Sequence, residues 1–217
     1  MPHLDPETSP EYTLFWEAMS GAMAVEFVLE EMDVPYRVRP VDMAAGEHRS
    51  EAYLKLNSTG QIPALSLPDG RVIGESAAII LTLGDRHPET GLVPTQDNAD
   101  RPIFLRWLIY MAASPYMTFV QFNHPERFLE PPETHDALID NARHRLEGHF
   151  SALDSAISGA PFFIGSEPTA LDFYLYMLVA LFPERDHLLA ERSKLRKLIE
   201  AAGERQSVRR VMPRHLD

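Results

Sequence analysis

The sequence predicts an α/β domain followed by an all-α helical domain, and two observations lead to this prediction. Between residues 11 and 88, strand-like segments alternate with segments of helical apolar spacing. Residues 87–95 then form a stretch punctuated by proline and glycine, and only helical spacing continues beyond it. The chain of 217 residues is long enough for two small domains. We therefore predict an α/β domain over residues 11–88 and an all-α bundle over residues 97–217.

The α/β domain is predicted to open with a strand, a helix and a second strand. Tyr12–Trp16 is rich in aromatic residues, as strands often are. Ala22–Met32 has helical spacing, and Asp33-Val34-Pro35 ends it. Tyr36–Val41 alternates in polarity, which indicates a second strand. Because a helix connects the two strands, they are expected to be parallel with a right-handed crossover.

A short helix, a hairpin and a third helix complete this domain. Glu51–Leu56 is predicted to be helical. Pro63–Leu67 and Arg71–Ile73 flank the turn signal Pro68-Asp69-Gly70, and a helix follows from Ser76 to about Asp85. The resulting order, βαβαββα, is that of a thioredoxin-like domain.

The proline at the head of the third strand points to a ligand site. It suggests either that the missing N–H of Pro63 is useful or that the Ile62–Pro63 bond is cis. A cis bond would leave the main chain of the preceding residue open to pair with a peptide-like ligand. Glu75 and Ser76, at a helix N-terminus, are suited to charged or polar ligand ends. An ordinary hairpin followed by a capped helix is the alternative.

The second domain contains helical patterns throughout. Pro115 predicts a kink or break just before it in the helix from Arg101 to about Val120. Thr169–Asp172 resembles an acidic capping box ahead of an almost wholly apolar helix, Phe173–Phe182, which should be buried. The other helices are expected at about Thr134–Ile157, Arg192–Ala202 and Gln206–Met212.

Composition narrows the classes of function. A net charge of -12 argues against nucleic acid and anionic membranes as main partners. No run approaches the length of a membrane span, and residues 1–12 look like a loose tail and not a secretory signal. The absence of cysteine excludes a catalytic thiol and fits a reducing compartment such as the cytoplasm. No metal is expected, because the later histidines lack a metal signature and are interpreted as surface or capping residues: His124, His135, His144 and His149.

Several motifs resemble those of the glutathione transferase superfamily. GEHRSEAYLKLNSTGQIPAL followed by ESAAI is similar to the glutathione-binding half of these proteins, and most similar to the plant-type phi class. FFIGSEPTALDFYLYM and RQSVRRVM resemble the family's buried helix and terminal helix. The resemblance covers most of the chain but is sharp only over about residues 36–81.

The resemblance implies a set of glutathione-binding residues. Its motifs assign His48 and Arg49 to the glycyl carboxylate, and Glu75 and Ser76 to the γ-glutamyl end. Gln61 would lie beside the ligand, with the main chain of Ile62 bound to the cysteinyl unit before cis-Pro63. Two residues depart from the pattern: Ser58 replaces a proline and Ala77 replaces a frequent arginine.

Ser20 is the candidate for activating the thiol of glutathione. It would donate a hydrogen bond to the thiolate at the entrance of the first helix, where the helix terminus also favours negative charge. Counting forward from the first strand places the family's serine at Ser20, whereas counting back from the helix end places it at Met19. The tyrosine of the animal-type classes corresponds to Phe15, and the beta-class cysteine has no counterpart. A plain helix cap is the alternative role of Ser20.

A second, hydrophobic substrate is expected between the two domains. An aromatic and methionine-rich set is a candidate for its lining, although core packing is the common role of such a stripe. The set comprises Trp16, Tyr110, Met111, Ser114 and Met117, with Tyr116 and Phe119 nearby.

The predicted activity is conjugation of glutathione, as co-substrate, to a small hydrophobic electrophile. Dehalogenation, ether cleavage, isomerisation and peroxide reduction are related possibilities that the resemblance leaves open. The resemblance also implies a homodimer. The rival hypothesis is a non-catalytic glutathione-binding or ligand-binding protein on the same fold. A thioredoxin-type oxidoreductase is disfavoured because cysteine is absent.

Overall fold

The structure is a computed structural model that describes residues 11–216. Its contacts divide the described chain into two compact units: unit 1 comprises residues 11–90 and 206–216, and unit 2 comprises residues 91–205. Residues 1–10 of the predicted tail lie outside the described residues.

Unit 1 is built on a four-stranded sheet with strand order β2-β1-β3-β4. The strands are β1 (Tyr12–Trp16), β2 (Tyr36–Pro40), β3 (Ala64–Ser66) and β4 (Val72–Gly74). β1 and β2 are parallel, whereas β3 is antiparallel to both β1 and β4. The predicted parallel pair, its helical crossover and the antiparallel hairpin are therefore confirmed, and with them the thioredoxin-like fold class.

Within residues 11–216 the α-helices begin and end as follows: α1 (Ala22–Glu31), α2 (Glu51–Leu56), α3 (Ser76–Arg86), α4 (Arg101–Ala113), α5 (Pro115–Asn123), α6 (His135–Ala156), α7 (Ala170–Ala180), α8 (Arg185–Glu191), α9 (Ser193–Gly203) and α10 (Gln206–Leu216). Short 3-10 turns occur at Glu47–Arg49, Pro88–Thr90, Pro125–Arg127 and Pro132–Thr134. Helix α8 has no counterpart among the predicted helices.

Helix α10 belongs to unit 1, whereas the division of the sequence at residue 97 had assigned it to the helical domain. It packs against α1, and polar contacts on both helices explain the docking. Ser207 Oγ donates to Glu31 at 2.6 Å, and Arg214 Nη1 lies 2.6 Å from Glu26 Oε1. Helix α10 also continues through Pro213 to Leu216, beyond the predicted end at Met212.

Unit 2 contains helices α4 to α9 around an aromatic core. The Phe119 and Phe150 ring centroids are 6.2 Å apart, and those of Phe150 and Phe182 are 5.5 Å apart, which are favourable distances for aromatic pairs. Nearly all of α7 is buried, as its uniformly apolar sequence predicts. The predicted break before Pro115 is confirmed, because α4 ends at Ala113 and α5 begins at Pro115.

The segment formed by α4 and α5 has the length and apolar composition of a membrane span, which differs from the sequence-based expectation. Arg101–Asn123 has 23 residues and a hydropathy of 1.3 in its most apolar window, of which 33% is buried. The break at Ser114 divides it into helices of 13 and 9 residues. A single helix needs about 20 residues to cross a bilayer, and each of these two helices is shorter than that.

The predicted capping box at the start of α7 is present and includes a buried carboxylate. Asp172 Oδ2 accepts from the Thr169 N–H at 2.7 Å, and Oδ1 accepts from the Phe163 N–H at 2.7 Å. Burial raises the pKa of Asp172 from 3.8 to about 6, although these hydrogen bonds act in the opposite direction. Asp172 therefore joins the loop before α7 to the helix.

Replacing Asp172 with alanine should destabilise the protein by about 1–3 kcal/mol near neutral pH, because the buried Phe163 N–H and the part-buried Thr169 N–H lose their acceptor. The folded chain retains a proton on Asp172 between pH 3.8 and about 6, where the unfolded chain has lost it. The contribution of this group to stability therefore falls as pH rises through that range.

Urea unfolding of the wild type and Asp172→Ala at pH 4 and pH 7 measures both effects, and the cost of the substitution should be larger at pH 4. Asp186→Ala is the control, because the side chain of Asp186 is 100% exposed. An equal cost at both pH values would show that Asp172 has no raised pKa.

Candidate functional site

The sheet register brings the predicted glutathione-binding turns of unit 1 to one end of the sheet. β1 pairs Phe15 with Ala64, and β3 pairs the same Ala64 with Gly74. The chain segments that continue from these three positions therefore leave the sheet at the same end. These segments carry Ser20, the Ile62–Pro63 bond and Glu75.

Ser20 lies at the entrance of α1 with its hydroxyl engaged in two hydrogen bonds. Its Oγ donates to the Glu17 carbonyl at 2.8 Å and accepts from the Ala22 N–H at 3.1 Å. The side chain is half-buried. Met19, the residue before it, has a φ of 50°, in the left-handed region that most residues avoid. The N-cap residue of α1 is Gly21, so Ser20 lies one residue before the cap, where its hydroxyl accepts from the first helical N–H. The proton of the Ser20 hydroxyl is held by Glu17 in this conformation.

The Ile62–Pro63 bond is cis, which was one of two interpretations of the proline at the head of β3 and the one that the resemblance implied. Within residues 11–216, the main chain of Ile62 makes no hydrogen bond to another part of the protein. The preceding residue is held firmly: the Gln61 carbonyl accepts from Tyr53 Oη at 2.9 Å and from Asn57 Nδ2 at 2.9 Å. Ile62 is thus an open main-chain edge next to a fixed loop.

Asn57 and Gly60 account for much of the shape of this loop. A Cβ at Gly74, the residue before Glu75, would lie 3.5 Å from the Asn57 amide, so Asn57 lies close to the segment that leads to Glu75. Gly60 has a φ of 63°, and a Cβ there would lie 3.1 Å from the His48 carbonyl oxygen. A side chain at Gly60 would therefore be strained in its backbone and crowded against His48.

His48 and Arg49 are adjacent on the 3-10 turn Glu47–Arg49, and Arg49 Nε donates to His48 Nε2 at 3.2 Å. His48 is buried and Arg49 is exposed. Glu47 holds the turn by accepting from Arg39 at 2.7 Å and from the Asp42 N–H at 2.9 Å. Hydrogen bonds from the Asp42 N–H and Arg39 lower the pKa of Glu47, so it remains a carboxylate.

Glu75 and Ser76 form the start of α3. Glu75 is exposed and has a φ of 62°, a sparsely populated conformation for a residue with a side chain. Its carbonyl accepts the Ile79 N–H at 2.9 Å, so the helix fixes it on one side. Ser76 is buried in the first turn. Backbone strain of this kind is concentrated at functional sites, where it aims a side chain at a ligand.

The residues predicted to contact a second substrate have different environments. In unit 1, the half-buried indole of Trp16 donates to Glu26 Oε2 at 2.8 Å. In unit 2, Tyr110 and Ser114 are half-buried and Met117 is 44% exposed. Met111 is fully buried, because it shares a face of α4 with the core residues Phe104 and Leu108.

His149 was interpreted as a surface or capping residue, but it is half-buried and bridges three helices of unit 2. Its Nδ1 lies 2.8 Å from Tyr110 Oη, and its Nε2 lies 3.3 Å from Thr118 Oγ1. Burial and the charge of Arg145 lower the pKa of His149, so the ring is neutral near pH 7. Because Thr118 donates its proton to the Ser114 carbonyl, it accepts from His149, and Tyr110 donates to the other ring nitrogen.

Sequence reasoning also missed the positioning residues of unit 1. Tyr53 and Asn57 hold Gln61, and a buried network around Glu26 and His215 contacts Trp16 and Met19. An acidic residue among the apolar positions of α1 was the available signal for Glu26. Across the described residues, no group of three or more acidic or histidine side chains is arranged to hold a metal ion.

Comparison with known proteins identifies the family to which these features correspond. Residues 19–86 match the family model described as "Glutathione S-transferase, N-terminal domain". The match contains Ser20, the cis-proline loop and the start of α3.

Similarity to individual proteins extends over most of the chain. It is 30% identical over 178 residues to glutathione S-transferase 1 of Dianthus caryophyllus, covering 78% of this chain and 76% of the relative. It is 28% identical over 198 residues to an uncharacterised GST-like protein, YncG, of Escherichia coli, covering 90% and 94%. The crystal structure of a Sulfitobacter glutathione transferase homologue with bound glutathione has a TM-score of 0.86 at 22% identity, covering 95% and 99%, and supports the fold.

Proposed function

Because the chain belongs to the glutathione S-transferase superfamily, we propose that unit 1 binds glutathione and that Ser20 stabilises its thiolate for attack on a small hydrophobic electrophile. The observation that best supports this is the open main chain of Ile62 beside cis-Pro63, at the sheet end that also carries Ser20 and Glu75. A cysteinyl main chain can pair with this edge as an added strand. The thiol of that residue would then face the entrance of α1.

The two charged ends of glutathione would bind on opposite sides of this edge. The ammonium of the γ-glutamyl group would face the carboxylate of Glu75, and its carboxylate would face Ser76 and the positive end of the α3 dipole. On the other side, His48 and Arg49 would bind the glycyl carboxylate, and Gln61 would lie beside the ligand. Arginine at position 49 carries a fixed charge in a planar fork that suits a carboxylate.

Ionisation of the thiol is the energetic problem that the site would have to solve. A free thiol has a pKa of about 8.5, and lowering it by about two units requires roughly 2.7 kcal/mol of preference for the thiolate. A hydrogen bond to a charged group contributes about 1.5–3 kcal/mol, and a helix N-terminus about 0.3–1 kcal/mol. Ser20 at the entrance of α1 can therefore supply the required amount, provided that its proton turns from Glu17 to the sulfur.

A non-catalytic glutathione-binding protein is the second candidate function. The observation in its favour is that the Ser20 proton is already held by the Glu17 carbonyl at 2.8 Å. If ligand binding leaves that bond in place, the site would bind glutathione without activating it. The two functions differ in turnover and not in affinity, so kinetics separates them.

The same proposal includes the residues that would contact the electrophile and the type of reaction. Trp16, Tyr110, Ser114 and Met117 are our candidates for contact with the electrophile, whereas the fully buried Met111 has no exposed surface to offer. Flexible methionine side chains suit a range of apolar acceptors. Conjugation, dehalogenation, ether cleavage, isomerisation and peroxide reduction would all use the same activated thiol, so assays of each reaction type select among them.

We also propose a homodimer in a reducing compartment such as the cytoplasm, where glutathione is abundant as the thiol. Two apolar side chains of α4 support a partner surface, because Ile103 is 44% exposed and Ile109 is 51% exposed. Neither residue lies among the candidate glutathione contacts. Sedimentation equilibrium determines the oligomeric state, and a monomer at micromolar concentration would reject the dimer.

Glu75 provides a test that separates binding from folding. Glu75→Ala and Glu75→Gly both remove the carboxylate. Each should lower the affinity for glutathione about 10- to 100-fold, as expected for loss of a charged hydrogen bond. Glycine tolerates the φ of 62° at this position, so Glu75→Gly should be more stable than Glu75→Ala by about 1 kcal/mol. Calorimetric titration and thermal unfolding measure the two quantities.

The control for Glu75 is Glu89→Ala, which removes a largely exposed carboxylate from the 3-10 turn after α3. It should bind glutathione like the wild type. Unchanged affinity in both Glu75 variants would refute the assignment of the γ-glutamyl site.

Ser20 provides the test of activation. Ser20→Ala should lower kcat about 10- to 100-fold while changing the KM for glutathione little, because the hydroxyl bonds mainly to the thiolate. The variant should also lose about 1 kcal/mol of stability, because the Ala22 N–H loses its hydrogen bond to the Ser20 hydroxyl. Steady-state kinetics with a chromogenic dinitroaryl chloride gives both constants.

Ser20→Thr is the matched control because it retains a hydroxyl, and it should keep most of the activity. If Ser20→Ala turns over as fast as the wild type, main-chain donors at the entrance of α1 would have to stabilise the thiolate instead.

A further inference from the structure

Glu26 is a carboxylate with no exposed surface in the middle of α1, and it has hydrogen-bond partners on three other elements. Its Oε2 accepts from Trp16 Nε1 at 2.8 Å and lies 3.0 Å from His215 Nε2. Its Oε1 lies 2.6 Å from Arg214 Nη1 and 3.2 Å from Tyr36 Oη. A buried carboxylate requires such partners, so this network fixes α10 on α1.

Within this network, the Glu26 side chain remains an ionised carboxylate. Burial raises the pKa of Glu26, but hydrogen bonds from His215 and Arg214 outweigh it and hold the pKa below its ordinary value. A cleft of about 360 Å³ is lined in part by Arg214, Tyr36 and Trp16. The Arg214 side chain is 46% exposed, whereas those of Glu26 and His215 are both 0% exposed. Solvent therefore reaches the arginine end and not the histidine end.

The hydrogen bonds of His215 determine its tautomer. The Met19 N–H lies 3.2 Å from His215 Nδ1, and a main-chain N–H can only donate, so Nδ1 is an acceptor without a proton. The ring proton is then on Nε2 and points to Glu26 Oε2. Trp16 Nε1 is 3.3 Å from the same Nε2 but only 2.8 Å from Glu26, to which it donates. His215 is thus a ring oriented by a carboxylate, as metal-binding and catalytic histidines often are.

Met19, whose N–H donates to His215 Nδ1, is the residue before Ser20 and has a left-handed backbone conformation. The same turn is closed by the bond from Ser20 Oγ to the Glu17 carbonyl and continues into α1. His215 is 196 residues away along the chain, so only the docking of α10 brings it to this turn.

We propose that His215, oriented by Glu26, is a positioning residue that holds the Met19–Ser20 turn in the conformation that stabilises the thiolate. The inference rests on the proposed function of Ser20. The acceptor nitrogen of His215, Nδ1, anchors the N–H of Met19. This contact fixes the direction from which the Ser20 hydroxyl approaches a ligand. The terminal helix therefore contributes to the glutathione site without touching glutathione.

Two nearly isosteric variants separate the two ring nitrogens. In His215→Asn, the side-chain oxygen occupies the position of Nδ1 and can still accept from Met19, whereas contact with Glu26 is lost. In His215→Gln, the terminal group reaches the position of Nε2 and Glu26, whereas Met19 loses its acceptor. Each variant removes one contact of the same histidine, so a merely structural role predicts similar effects.

We expect His215→Asn to keep kcat within about threefold of the wild type, and His215→Gln to lower it about 10-fold with little change in the KM for glutathione. Ser207→Ala is the docking control, because it removes a different contact between α10 and α1, the bond to Glu31. It should leave kcat unchanged. Equal kcat values in folded His215→Asn and His215→Gln would overturn the proposal.

A second measurement does not depend on glutathione. Amide hydrogen exchange followed by NMR should show a protected Met19 N–H in the wild type, His215→Asn and Ser207→Ala, and loss of protection in His215→Gln. If the wild type fails to bind glutathione, the proposed function fails, but these exchange rates still test the anchor. Equal protection of the Met19 N–H in the two His215 variants would overturn the proposal that His215 anchors Met19.

The wild type alone provides a further test if His215→Gln does not fold. The ¹⁵N chemical shifts of the His215 ring should report a proton on Nε2 and an acceptor at Nδ1. A proton on Nδ1 would contradict the inferred anchor.

Discussion

The register of β1, β3 and β4 is the constraint on which the candidate site depends. Because Ala64 lies opposite both Phe15 and Gly74, the entrance of α1, the cis-proline loop and the start of α3 are at one end of the sheet. A slip of one residue would move these segments apart and turn each strand over. The core residues Ala22, Tyr53 and Ile62 pack around Phe15 and Ala64, so the same register positions both core and site.

Two of the three described non-glycine residues with positive φ lie beside or within the candidate site, and the third, Asp33, follows the end of α1. Met19 and Glu75 are non-glycine residues with positive φ, and each directly precedes a candidate serine, Ser20 or Ser76. Such conformations cost about 1–3 kcal/mol each and persist only where the surroundings enforce them. The Ile79 N–H holds Glu75 from within α3, whereas His215 holds Met19 from the terminal helix. The two serines are thus fixed by different parts of the chain.

Local patterns in the sequence were sufficient for much of the fold and the outline of the site. Aromatic enrichment identified β1, alternation identified β2, and proline identified the break before α5. For the Ile62–Pro63 bond, the local pattern left two interpretations open, and the family resemblance selected the cis one. The docking of α10 was not predictable, because contacts such as Glu26 with His215 join residues 189 apart and leave no local pattern. The last helix was predicted to end at Met212, but it continues through Pro213 to Leu216.

The measurement that most directly tests the proposed activation is the ultraviolet titration of the thiolate of glutathione bound to the wild-type protein. We predict a midpoint about two units below the free value of about 8.5, because Ser20 and the N-terminus of α1 favour the thiolate. A bound thiol that titrates at or above the free value would contradict activation by this site and favour a protein that only binds glutathione.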